Sequence, residues 1–169
     1  MSIDNMSAIE IKAGYVPGAI GRVAELHGTY YHQHWNFGLF FEAKVATGLS
    51  EFLSRYDTTR DGFWTVSVRG RVEGAIAIDG IHAEGEGAHL RYFIVSEVLR
   101  GQGMGNQLIN TAIEFCRSCG YPRVYLDTFA GLEAARHLYE KMGFVLVEEL
   151  HGTQWGKAVN EQRFELRLN

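Results

Sequence analysis

The chain has 169 residues, of which 46% are hydrophobic and 21% charged, a composition that suits one globular domain with a sizeable core and excludes general disorder. Sixteen Lys and Arg stand against 20 Asp and Glu, a net charge of -4, so the basic footprint of a nucleic-acid binder is missing. No run of about 18 apolar residues occurs, and the N-terminus MSIDNMSAIEIK has neither a charged leader nor an apolar one, which sets the expectation of a cytoplasmic protein without a membrane partner.

In chain order, Ile9 to Lys12 alternates apolar and charged residues and reads as a short strand. After Pro17, Ile20, Val23, Ala24 and His27 recur at helical spacing, with Gly28 as the expected break. The longest amphipathic helix is then expected over Tyr30 to Tyr56, its apolar face made of Phe37, Phe40, Phe41, Val45, Leu49, Phe52 and Leu53. At its start, Tyr30, Tyr31, His32, His34 and Trp35 suit either a substrate pocket or a packed aromatic junction. His32 and His34 alone are too few ligands for a metal site, and no metal is expected.

Phe63 to Val68 and Val72 to Ile78 read as an antiparallel hairpin turning at Arg69, Gly70 and Arg71. A central strand, AHLRYFIV, follows the loop GIHAEGEG. From Gly103 a helix carries Met104, Leu108, Ala112, Phe115 or Cys116, and Cys119 as its apolar stripe and stops at Gly120. Cys116 and Cys119 could form a redox pair, but their place near the helix end suits buried small residues in a reducing compartment better. A strand from Arg123 to Asp127 and a helix from Leu132 to Met142 follow, with Gly143 as stop, so the two strands flanking the first helix should be parallel. Phe144 to Leu150 and Arg163 to Leu168 complete the strands around a loop, GTQWGKAVNEQ. With no repeat or linker, one domain over 1–169 is expected.

The chemistry concentrates where the central strand gives way to Arg100, Gly101, Gln102, Gly103, Met104, Gly105 and Asn106. Glycines at a helix N-terminus allow close backbone approach, and the unpaired amides there attract phosphate oxygens. A P-loop is excluded because no Lys-Ser or Lys-Thr follows the last glycine. A dinucleotide fingerprint has Gly101, Gly103 and a downstream Asp127, but its third glycine falls on Asn106, and five residues separate strand from glycine.

Arg100, Gly103 and Gly105 form an Arg-x-x-Gly-x-Gly pattern, and Ala135, Tyr139, Gly143 and Phe144 form a later Ala-x-x-x-Tyr-x-x-x-Gly-Phe pattern. Together they resemble the GNAT-type N-acetyltransferase superfamily over about Phe63 to Leu150. The resemblance implies an α/β fold with a mixed, mostly antiparallel sheet of about six to seven strands flanked by about four helices. It implies acetyl-CoA as cosubstrate, held by the backbone of Phe93, Ile94 and Val95 and by Arg100 to Asn106. It implies a primary-amine acceptor, small or peptidic, attacked directly, with Tyr139 as general acid for the departing thiolate. A homodimer is compatible with it.

The base is open: His89 occupies a position where some relatives carry a carboxylate, with Glu42 and Glu86 as rivals. Where many members carry Asn, this chain has Leu132, and Thr128 is a substitute or simply a strand-end hydroxyl. The first third, through ELHGTYY and Phe41 to Ala43, and Gln162 to Leu166 near the end, resemble acetyltransferase halves fused to MarR-type regulators; that kinship implies the expectation that this chain is the catalytic part standing alone. A non-catalytic acyl-CoA-binding module and a partner of a transcription regulator are the competing functions. The net negative charge weakly favours a cationic acceptor.

Overall fold

The computed structural model describes residues 8–168, so most of the N-terminal stretch read for a leader lies outside the described residues. Seven strands form one sheet in the order β1-β2-β3-β4-β5-β7-β6: β1 (Ile9–Ala13), β2 (Gly62–Val68), β3 (Arg71–Asp79), β4 (Ala88–Val95), β5 (Arg123–Phe129), β6 (Val145–Gly152) and β7 (Val159–Arg167). Four α-helices flank it: α1 (Ala19–Trp35), α2 (Leu39–Ser54), α3 (Met104–Ser118) and α4 (Glu133–Lys141). Every pair of neighbouring strands is antiparallel except β4 with β5.

Alternation along β3 builds the two layers. Ile76 and Ile78 face the core against Leu108, Ile109 and Ala112 of α3, while Ala75 and Ala77 face the core against Val23 of α1 and Leu49 and Phe52 of α2. Both faces of β3 are covered, hence its near-continuous apolar run. The β2–β3 turn has positive φ at both Arg69 and Gly70 (52° and 80°), the backbone twist that favours two-residue hairpins.

The helical region before β2 differs from the expectation. Helix α1 runs straight through Gly28 to Trp35 and ends at Asn36, whose φ of 56° is left-handed. A Cβ on Gly28 would lie 2.3 Å from Glu42 Oε1, so this glycine lets α1 and α2 approach and does not break a helix. The single long helix is therefore two, and Phe40, placed on the buried face by the periodicity, is 60% exposed because the phase restarts at Leu39. Strand β7 also begins at Val159, four residues before the expected Arg163, since pairing with β5 and β6 overrides the polar composition of NEQ. Cys116 is buried, whereas Cys119 is half-buried.

Candidate active site

β4 and β5 share only two rungs, Ala88↔Val124 and His89↔Tyr125, and then diverge. Beyond His89, β4 stays paired with β3 on one edge and has no strand on the other. A bulge opposite Ala75–Ala77, with Tyr92 at φ 55°, sends side chains to new faces. Arg91 and Tyr92 both reach toward Gly48 of α2, while Phe93 and Val95 pack near Gly105 of α3.

Past β4, Ser96 accepts a hydrogen bond from the Val98 amide (3.1 Å), starting a short 3₁₀ turn that delivers Arg100 to the glycines. Gly101 and Gly103 have φ of 76° and 71°, and a Cβ on either would meet nothing within 4 Å. Their role is thus conformational: left-handed backbone turns the chain into α3, with Gly103 as its N-cap. The first-turn amides of α3, from Met104 on, have no intrahelical acceptor.

Tyr139 is held by the end of its own helix. Gly143 (φ 99°) follows the last helical turn, its amide bonds Glu140 O (3.0 Å), and the Phe144 amide bonds Tyr139 O (3.0 Å). This is a Schellman cap, and the accompanying apolar contact is Tyr139 on Phe144, ring centroids 6.0 Å apart. The Tyr-x-x-x-Gly-Phe spacing is the sequence form of that cap. Burial pushes the Tyr139 phenol above its ordinary value, so it keeps its proton across working pH.

One cavity of about 1030 Å³ joins these parts. Phe93, Ile94, Val95, Arg100, Gly105 and Tyr139 are on its wall. Gly101, Gln102, Gly103, Met104 and Asn106 form the adjoining loop and first turn without lining it. The cavity continues through the β4–β5 opening to the α1–α2 face, where His89, Arg91, Asp127, Tyr30, Tyr31, His34, Trp35, Phe129 and Trp155 meet it. Of the N-terminal aromatics, His32 is elsewhere: its Nδ1 bonds Phe37 O (2.9 Å) across the α1–α2 corner. Among the described residues no group of three His, Cys, Asp or Glu gathers as a metal site.

His89 stacks on Tyr125 at 4.4 Å and has Nε2 3.6 Å from Asp127 Oδ2. Burial first, then Arg91 and Arg163, lower its pKa to about 3, so the imidazole is neutral. The rivals are off the cavity wall: Glu42 fills the space above Gly28, and Glu86 accepts from Tyr125 Oη (3.2 Å). Thr128 and Leu132 both line the cavity, Leu132 within the aromatic cluster around Phe129. Sequence reading missed Arg91, Asp127, Phe129 and Trp155 as site residues. The one available signal was alternation along β4 and β5, which puts His89 with Arg91 and Asp127 with Phe129.

Residues 22–144 match the model of the acetyltransferase (GNAT) family. The chain is 32% identical over 97 residues to the uncharacterised N-acetyltransferase YjgM of Escherichia coli (strain K12), covering 57% of this chain and 58% of that one. To the N-acetylaspartate synthetase of Danio rerio it is 29% identical over 121 residues, 71% of this chain and 43% of that one. It spans about half the length of the curated relatives it matches. Its fold is similar to that of yncA from Salmonella typhimurium, solved with its cofactor acetyl-CoA, with a TM-score of 0.73 at 15% identity over 96% of this chain and 95% of that one.

Proposed function

Because the chain belongs to the acetyltransferase (GNAT) family, we propose that it transfers an acetyl group from acetyl-CoA to a primary amine by direct attack, both molecules sharing the one cavity. The observation that carries this reading is the continuity of that cavity, from the free edge of β4 and the α3 N-terminus to the polar and aromatic surface under α1 and α2. The residues present suit acetyl-CoA. Beyond His89, the β4 edge facing β5 has no strand partner and offers backbone groups to the amides of a pantetheine arm, as an added strand would. Arg100, largely solvent-exposed beside Glu97, and the first amides of α3 offer positive charge to a pyrophosphate.

When bound, acetyl-CoA supplies an activated thioester whose thiolate leaves. The chain's own residues do the rest. Phe93 to Val95 orient and exclude water through Phe93 and Ile94. Tyr139 holds a proton at Oη for the departing sulfur, at the end of the cavity that Phe93 walls. His89, neutral and backed by Asp127, is the acceptor for the amine's proton. Thr128, which lines the cavity as Leu132 does, is the hydroxyl we assign to replace the missing family Asn.

The test is thiol release from acetyl-CoA across an amine panel. Amine-dependent release supports the transferase. Acetyl-CoA binding without amine-dependent release supports a non-catalytic acyl-CoA module instead. The acceptor class in relatives includes a free amino acid, as the name N-acetylaspartate synthetase states, and a protein N-terminal serine, as the description of a Salmonella typhimurium structural neighbour states. The closer kinship to halves fused to MarR-type regulators stands on ELHGTYY, Phe41 to Ala43 and Gln162 to Leu166 alone, and co-purification of a regulator tests it. For a homodimer the supporting feature is β6, an edge strand with Val145, Val147 and Leu150 exposed; light scattering decides it. No described helix is long and apolar enough to cross a membrane; a cytoplasmic location is part of this reading, and fractionation tests it.

A further inference from the structure

The acceptor end of the cavity carries charges of both signs, where the chain as a whole is net negative. Two residues beyond the last β4–β5 rung, His89↔Tyr125, Arg91 stands on β4 and Asp127 on β5, one on each lip of the opening and both on the cavity wall. Asp127 is held by Arg163, with Nε 2.9 Å from Oδ1 and Nη2 3.4 Å from Oδ2. Arg91 gives Nη1 to Asp79 Oδ2 (3.1 Å), but Asp79 already accepts both Nη1 and Nη2 of Arg55, at 3.0 and 2.6 Å. Two guanidinium groups, those of Arg55 and Arg91, therefore share the one carboxylate of Asp79. Arg91 gives one nitrogen to this shared carboxylate, lays its guanidinium over the Tyr92 ring at 4.7 Å and stands on the cavity wall, so it has no carboxylate of its own and can fork onto an incoming one.

A cation and an anion on opposite lips of the opening through which the thioester is reached suit a molecule that carries both charges on one carbon. We propose that the acceptor is a free α-amino acid, its carboxylate taken by Arg91 and its ammonium by Asp127, which sets the nitrogen at the β4–β5 opening beside His89. The inference rests on the transferase reading. Coulomb interaction discriminates here: a simple amine or a peptide N-terminus brings a positive charge toward Arg91 with no adjacent carboxylate to offset it. The wall beyond, Trp35, Phe129 and Trp155, with ring centroids 4.8 and 5.6 Å apart along the series, is apolar and receives the side chain.

The experiment compares kcat/KM in thiol release for phenylalanine, methionine and aspartate, each beside its α-amide, and for phenethylamine. An α-amide loses its amine proton more easily than the zwitterion does, so intrinsic reactivity runs against the expected result. Free acids exceeding their amides by at least about tenfold, the scale of one charge-assisted contact, support the proposal. In Arg91→Gln that ratio collapses toward one, mainly through KM of the acid, and Arg91→Lys restores part of it. Amides or phenethylamine used as well as the acids by the wild-type protein, or a ratio that survives Arg91→Gln, overturn the proposal while leaving the transferase intact. Acetyl-CoA binding with no release by any amine removes both. If Arg91→Gln does not fold, the wild-type comparison still decides.

Discussion

Tyr139 and His89 are each set up by burial, in opposite senses. Burial raises the Tyr139 phenol and lowers the His89 imidazole to about 3, so both are neutral through the working range; Tyr139 keeps its proton, while the shift makes His89 a weaker base than a free imidazole. Tyr139→Phe keeps the ring contacts with Phe93, Phe144 and Phe164 and removes only the hydroxyl. We expect kcat to fall about 10²-fold with acetyl-CoA affinity nearly unchanged, measured by turnover and by titration. For His89 the pH profile is the informative measurement. With its pKa far below 6.5, kcat/KM should rise with the acceptor's own amine and show no imidazole inflection near neutrality. An inflection that disappears in His89→Gln contradicts this assignment.

His27 tells the same story for stability. It is 6% exposed, its Nδ1 bonds Val23 O (2.9 Å), and burial lowers its pKa to about 4. Unfolded, it titrates near 6.5. Above that pH both states are deprotonated, and the group adds no pH dependence. Between 6.5 and about 4 the unfolded chain takes up a proton that the folded chain refuses, so stability falls as pH falls. Denaturant unfolding at neutral pH and near pH 4 should show this loss, and His27→Leu should remove roughly 3 kcal/mol of it, at about 1.4 kcal/mol per unit.

At the scale of single elements, two backbone devices build the site. The first is the Schellman cap of α4. Gly143→Ala puts a side chain at φ 99°, 3.2 Å from Leu166 Cδ1, and loosens the cap that fixes Tyr139. The expected cost is about 1–2 kcal/mol, with a fall in kcat that tracks the Tyr139→Phe effect; thermal melts and turnover together check it. The second device is the β4 bulge. The first was legible as a spacing, because a left-handed residue four positions after a tyrosine leaves glycine in the sequence. The second was not: Tyr92 takes positive φ without being glycine, and alternation assumed across the whole strand misassigns every side chain after it. The α1–α2 corner escaped for a related reason. Asn36 is left-handed, yet the apolar residues on either side keep a helical rhythm across it.

For the molecule as a whole, acetyl-CoA should act as a clasp between α3 and α4 across the β4–β5 opening, where the sheet makes only two rungs. At 100 times its Kd a ligand that binds only the folded state adds about 2.7 kcal/mol, which for a chain of this size corresponds to roughly 5–10 °C in Tm. A thermal shift with acetyl-CoA and with CoA measures it; no shift with either contradicts the site. What the sequence determined by itself was local: the glycine-rich entry to α3, the Tyr-to-Phe cap of α4, most strand and helix runs, and hence the family. These follow from backbone conformation and periodicity, which are written within a few residues of each other. The pairing of charges at the acceptor end was decided only by tertiary structure. The whole chain is net negative at -4, but Arg55, Asp79, Arg91, Asp127 and Arg163 come from four strands and the end of a helix, and only their convergence puts Arg91 and Asp127 on opposite sides of the β4–β5 opening. Screening limits what total charge conveys to about a Debye length, so the acceptor reads the few groups around it and not the composition of the chain.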